Sequence, residues 1–169
     1  MQNNKSKFKK IAYLVGPIEG VLDHGRGWRE EIAQKLLGLG IGSLDPTKAS
    51  IEIGDGLDVA FRRQAVEAAR EARDWEKVLS IMEKVWEYNE GAVKASDFLA
   101  AYFPEKVSGG GTLREMQKAF DYGKPVYLVC GLDPSSINTH ILHMVLKRGK
   151  IFSTFDELIE FLKKEYGTD

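Results

Sequence analysis

The chain has 169 residues, 43% of them hydrophobic and 29% charged, with a formal net charge of −1. This length and balance predict one domain over 1–169 with a full core, and argue against a nucleic-acid binder working through a broad basic field. The single cysteine, Cys130, excludes an intrachain disulfide or a thiolate metal cluster. No apolar run approaches a membrane span, so neither nucleic acid nor membrane is expected as a partner and the chain reads as cytoplasmic.

A basic stretch, 1–9, reads as a flexible tail. Lys10 to Val15 reads as a buried first strand ended by Gly16-Pro17. After a loop to Gly27, Trp28 to Leu39 repeats apolar residues at helical spacing and stops at Gly40. Ile41 to Leu44 is a short second strand, with a turn at Asp45-Pro46-Thr47. From Leu57 to about Ala95 the pattern is helical but broken in two, and 51–87 has the character of a helical insert. Its first stretch contains Val59, Arg62, Arg63, Val66 and Ala69, and its second runs from Asp74 through Trp75, Leu79, Met82 and Trp86. Strands follow at Asp97 to Phe103, Pro125 to Cys130 and Lys150 to Phe152, with helices over Leu113 to Tyr122, Asn138 to Arg148 and Phe155 to Tyr166, the last capped by Thr154.

Alternating strands and helices imply a doubly wound α/β fold of the flavodoxin or Rossmann kind, a five-stranded parallel sheet in order 2-1-3-4-5 with helices on both faces. Ligands of such sheets bind at the carboxyl ends of the strands. The loops after the first and third strands, Gly16-Pro17 to Gly27 and Ser108 to Glu115, meet that criterion and are rich in glycine. Ser108-Gly109-Gly110-Gly111-Thr112 before a helix suggests an anion cradle of backbone N–H groups, with glycines supplying positive φ and close approach. Glu115 adds a carboxylate to the first helical turn. Thr112-x-x-Glu115 is also the spacing of a capping box, which needs no function, so both readings stand.

Taken in order, Tyr13-Leu14-Val15-Gly16-Pro17-Ile18, Trp28-Arg29, Asp45-Pro46, Ser96-Asp97, Gly111-Thr112-x-x-Glu115, Ala119 and Gly123-Lys124-Pro125-Val126 resemble the nucleoside 2-deoxyribosyltransferase family, with its relatives that hydrolyse the N-glycosidic bond of nucleoside monophosphates. The glycine loop alone is also similar to that of phosphoribohydrolases acting on cytokinin nucleotides. The resemblance implies Glu115 as nucleophile and Tyr13 as the hydroxyl that orients it. It departs from the family at Asn89 and Gly109, where aspartates are common, and leaves Glu87 or Glu90 as substitutes for the missing carboxylates.

A carboxylate can trap or stabilise the oxocarbenium-like state of glycosidic cleavage, and a helix N-terminus favours its ionised form. A separate acid must then protonate the base. Asp97 is the positional candidate, although a strand-end residue capping a turn has the same signature. The same loops, with the helix start after the first, nominate Gly16, Pro17, Ile18, Asp23, Arg29 and Ser108 to Thr112 for substrate, and the resemblance adds Asn89. Arg29 has the chemistry to bind a phosphate, although a helix-surface arginine is the commoner outcome, and Tyr13 also reads as a buried strand tyrosine. His140 and His143 share a helix without a third ligand, so no metal or other cofactor is expected. Two functions stay open: cleavage of a nucleoside or nucleoside 5′-monophosphate with transfer of (deoxy)ribose to a base or water, or a catalytically silent nucleotide-binding module. Trp75, Leu79, Met82 and Trp86 at helical spacing predict a homodimer or larger assembly.

Overall fold

The computed structural model describes residues 7–18, 22–48, 59–104 and 109–167. In chain order they form β1 (Lys10–Val15), α1 (Arg26–Gly38), β2 (Ile41–Leu44), α2 (Val59–Glu71), α3 (Trp75–Ala95), β3 (Phe98–Phe103), α4 (Gly110–Asp121), β4 (Val126–Cys130), α5 (Thr139–Arg148), β5 (Lys150–Phe152) and α6 (Phe155–Tyr166). The five strands make one parallel sheet in order β2-β1-β3-β4-β5. Most of the basic tail, and 51–58 of the helical insert, lie outside the described residues.

Both faces of the sheet are covered, which is why β1, β3 and β4 are almost continuously apolar rather than alternating. Tyr13, Val15, Leu99, Ala101, Phe103, Leu128 and Cys130 point to one face and pack with α3, α4 and α5. Ala12, Leu14, Phe98, Ala100, Tyr127 and Val129 point to the other and pack with α1 and α6. The helix α3 runs past the end of the insert read from sequence: its last turns bury Tyr88, Ala92 and Val93 on the sheet. The hairpin of α2 and the first half of α3 extends from that anchored end. Among the described residues, no helix is long and apolar enough to cross a membrane.

The register brings two loops together. Val15 pairs with Ala101, so the chain leaves β1 beside the last residues of β3, at the carboxyl edge of the sheet. At that edge Arg29 of α1 is fully buried, with 0% exposure. Its Nη1 donates to the Gly25 carbonyl at 2.9 Å, Nη2 to the Gly16 carbonyl at 2.9 Å and Nε to the Leu14 carbonyl at 3.4 Å. Asp45, just after β2, supplies the countercharge 3.7 Å from Nε and itself accepts from Thr47 N and Oγ1. Burial pulls the Arg29 pKa down and Asp45 pushes it back up. A guanidinium nevertheless stays cationic in a protein.

Gly25 is required for this arrangement on two counts. Its φ is +69°, and a Cβ there would lie 2.3 Å from Arg29 Nη1. Asp23 organises the same turn, accepting from Gly25 N at 2.9 Å and Gly27 N at 2.7 Å, and those bonds hold its carboxyl below the usual carboxylate range.

Replacing Arg29 by Met removes the donor from three carbonyls and leaves Asp45 buried without its countercharge. Urea unfolding of Arg29→Met is expected to show a loss of about 3–5 kcal/mol. An unchanged midpoint would refute the structural role given to the guanidinium.

Candidate active site

The helix α4 begins earlier than its sequence suggests. Gly110 and Gly111 are its first helical residues and Gly109 is the N-cap, with extended φ −85° and ψ 114° and no side-chain capping bond. Thr112 is therefore not a cap, and Glu115 is the sixth helical residue rather than the third. The capping-box reading of Thr112 and Glu115 does not hold.

The role expected of the three glycines also changes. None has a positive φ. A Cβ added at Gly110 or Gly111 would meet nothing within 4 Å among the described residues, and one at Gly109 would meet only Thr112 Oγ1 at 3.7 Å. Neither backbone strain nor tight packing demands glycine here. What the missing side chains leave is open space over the first-turn N–H groups of a helix that no side chain caps.

The Glu115 carboxylate turns inward and is 7% exposed. The buried Tyr13 hydroxyl on β1 donates to its Oε1 at 2.9 Å, and Asn89 Nδ2 on α3 donates to the same oxygen at 2.7 Å. Oε2 accepts from neither. The expectation of a carboxylate kept ionised by a helix end is also revised: burial dominates and raises the Glu115 pKa to about 7, against the opposing pull of Tyr13, Arg29 and Asn89. Burial and the neighbouring carboxylate push Tyr13 well above the ordinary range for tyrosine, so it remains a donor.

Glu115 lines a cavity of ≈ 350 Å³ at the carboxyl edge of the sheet. Gly16, Pro17 and Ile18 after β1 line it together with Gly109, Gly110, Gly111 and Thr112 after β3. Asn89 joins Glu115 on its surface, and α2 and α3 close it with Arg62, Arg63, Val66, Arg70, Met82 and Trp86. The volume lies in the range of small-molecule sites.

Three residues nominated from the sequence are elsewhere. Asp97 precedes β3 and lies at the opposite edge of the sheet, where Oδ2 accepts from Ile11 N at 2.8 Å and Oδ1 is 3.8 Å from Lys10 Nζ. The six residues of β3 put roughly 20 Å between it and the glycine loop. Asp23 shapes the start of α1. Arg29 is neither on the surface nor in the cavity, because its donors are committed to backbone carbonyls and its charge to Asp45. Ser108 lies outside the described residues. Glu90 is no proton donor either: the Tyr122 hydroxyl at 2.7 Å, with Lys94 and Lys118, lowers its pKa to about 2.

The α2 and α3 lining was not foreseen from the sequence. Its signal was present in the amphipathic stretch of α2, where Arg62 and Arg63 interrupt the apolar stripe of Val59 and Val66 instead of facing away from it. Met82 and Trp86, expected on an assembly surface, turn into the cavity, while Phe61, Trp75 and Leu79 remain exposed.

The fold has solved counterparts. A 2-deoxyribosyltransferase from Bacillus psychrosaccharolyticus superposes with a TM-score of 0.57 at 16% identity, over 94% of this chain and 97% of that one. A 2-deoxyribosyltransferase from Leishmania mexicana gives 0.57 at 16% identity, over 93% and 99%. A conserved protein from Enterococcus faecalis V583 gives 0.56 at 17%, over 92% and 98%. No protein-family model and no curated protein matches the sequence. The likeness is one of fold.

Because folding raises the Glu115 pKa from 4.5 to about 7, the unfolded chain ionises first as pH rises. Stability is therefore lost between those values and levels off above them, by about 3 kcal/mol in all. Glu115→Gln, which keeps the acceptor for Tyr13 and Asn89, removes this term. Thermal melts from pH 4 to 8 are expected to show the variant gaining on the wild type through that window. Parallel curves would contradict the burial of an ionisable group.

Proposed function

We propose that the protein cleaves the N-glycosidic bond of a nucleoside or nucleoside 5′-monophosphate, with Glu115 as nucleophile, and passes the (deoxy)ribose to another base or to water. The observation that carries this reading is a buried carboxylate, on the wall of a nucleotide-sized cavity, whose two donors both occupy Oε1. The fold shared with two 2-deoxyribosyltransferases supports it. A purely binding site would gain little from burying a carboxyl whose ionisation the burial opposes.

In the proposed reaction, the ionised Glu115 Oε2 attacks C1′ and the C1′–N bond breaks, its electron pair leaving with the base, which takes up a proton from solvent water. A second base, or water, then attacks C1′, the C1′–Oε2 bond breaks and the incoming group loses its proton to solvent, restoring the Glu115 carboxylate. Tyr13 and Asn89 hold Oε1 and so fix the plane of the carboxylate throughout. Of the two carboxylates among the described lining residues, Glu67 is engaged with Arg63 and Glu115 is the attacking group. Exposed Phe61, Trp75 and Leu79 support the further reading that the chain self-associates.

Chromatography of reactions with the common nucleosides and their 5′-monophosphates, with and without an acceptor base, is expected to reveal free base from at least one of them. Glu115→Gln should lower that rate at least about a thousandfold. Ligand binding without base release would favour the binding-module reading.

Since attack requires the ionised carboxylate, kcat/KM should fall as pH drops through about 7, the value to which burial raises Glu115. Asn89→Asp sets a second carboxyl against Glu115, and the pair then shares a proton. Its pH–rate profile is expected to have the acid limb moved upward, with less activity at neutral pH than the wild type. An unmoved limb would dissociate Asn89 from the carboxylate's titration.

A further inference from the structure

Trp86 stands between two spaces. It lines the cavity that holds Glu115, and it also lines a narrow crevice beside Glu115 together with Arg114, Glu90 and Lys118. The Arg114 guanidinium, reaching across from α4, lies over the indole with its carbon 3.9 Å from the ring centroid. A cation that close fills one face of the ring. What the cavity meets is the other face and the edge of the same indole. A tryptophan on an amphipathic helix ordinarily covers core, but the core under this part of α3 is made by Tyr88, Ala92 and Val93, and Trp86 is only half-buried.

Its position relative to Glu115 is set by the helix. Trp86 precedes Asn89 by three residues, so the two share a face of α3 about 4.5 Å apart along its axis. Asn89 Nδ2 donates to Glu115 Oε1 at 2.7 Å. An indole one turn from the residue that holds the carboxylate is within reach of a ring bonded directly to the atom under attack. Met82 and Val85, the neighbouring cavity residues of α3, carry no hydrogen-bonding group, and the Asn89 amide nitrogen is committed to Glu115. This wall therefore reads the area of a ring rather than the pattern of its edge. A fused two-ring base covers more of an indole than a single ring does. The Arg114 cation also offsets the negative potential of the indole face, so a second π system stacks on the far side with less repulsion.

We propose that Trp86, backed by Arg114, is the platform on which the departing ring of the substrate stacks, and that it selects fused two-ring bases over single-ring ones. That the ring is a nucleobase rests on the proposed function; that an indole clamped by a guanidinium lines the cavity does not. Trp86 is a specificity-determining residue in this account, and Arg114 is a positioning residue that acts through it. Neither takes up a proton or forms a bond in the reaction.

The test compares two bases across variants. Calorimetry in the Glu115→Gln background, which blocks turnover, measures binding of adenosine, cytidine and their 5′-monophosphates. The adenine compound of each pair is expected to bind at least about tenfold tighter than its cytosine partner. Trp86→Leu keeps an apolar wall and removes the aromatic face, and should shrink that ratio at least about fivefold, with Trp86→Phe recovering part of it. Arg114→Gln, a change at an exposed side chain, should shrink it about twofold. Loss of packing alone would weaken both bases together and leave the ratio in place. Thermal melts check that the variants fold, and Arg114→Gln keeps the test decisive if Trp86→Leu does not. Equal affinity for the two bases, a ratio unmoved in either Trp86→Leu or Arg114→Gln, or no binding of any of the four compounds at millimolar concentration would overturn the inference. A Trp86-dependent preference with no base ever released by the wild type would uphold it while overturning the glycosidic reading. Release of both bases at rates indifferent to Trp86 would do the reverse.

Discussion

The buried Glu115 carboxylate organises the carboxyl edge of the sheet. Desolvation pushes the Glu115 proton affinity up and hydrogen bonds pull it down, and the balance falls near neutral pH because burial is the larger effect. The balance depends on elements far apart in sequence. Tyr13 reaches Glu115 across 102 positions and Asn89 across 26. Each comes from a segment fixed by the core: Tyr13 from the centre of the sheet, Asn89 from the helix whose next turn buries Ala92 and Val93. A shift of one residue in the β1 register would send Tyr13 to the opposite face and leave the carboxylate without its hydroxyl.

A second buried charge sets the electrostatics beneath it. Arg29 ties the ends of β1 and β2 to α1 through carbonyls and Asp45, and its field lowers the Glu115 proton affinity without contact. Asn89 completes the arrangement. Where the resembling family commonly has an aspartate, this chain has an amide that can only donate toward the carboxylate from Nδ2, so Glu115 titrates without sharing a proton with a second acid. The asparagine simplifies the protonation of Glu115, the proposed nucleophile, and removes a candidate proton donor in one change.

The strand order was legible because short apolar runs alternated with helical ones, and buried parallel strands carry that pattern in every residue. The meeting of the β1 and β3 loops followed from topology. The start of α4 was not legible: glycines are poor helix formers, so Gly110 and Gly111 read as loop, whereas the helix includes them because tertiary packing of Met116 and Ala119 carries it. Arg29 looked like a surface or ligand residue because its partners are carbonyls of other segments, which no local pattern records. Asp97 was placed by its company in a motif, yet a residue that precedes a parallel strand belongs to the amino edge. The arginines of α2 became meaningful only once the hairpin folded over the glycine loop.

The proposal that Glu115 attacks the sugar is tested most directly by trapping. A 2′-fluorinated nucleoside 5′-monophosphate slows breakdown of a glycosyl-enzyme by destabilising its oxocarbenium-like transition state. Intact-mass and peptide mass spectrometry should then show base release equal to enzyme and one sugar phosphate covalently attached to the peptide bearing Glu115. Continued base release with no adduct, or an adduct on any other residue, would contradict the account.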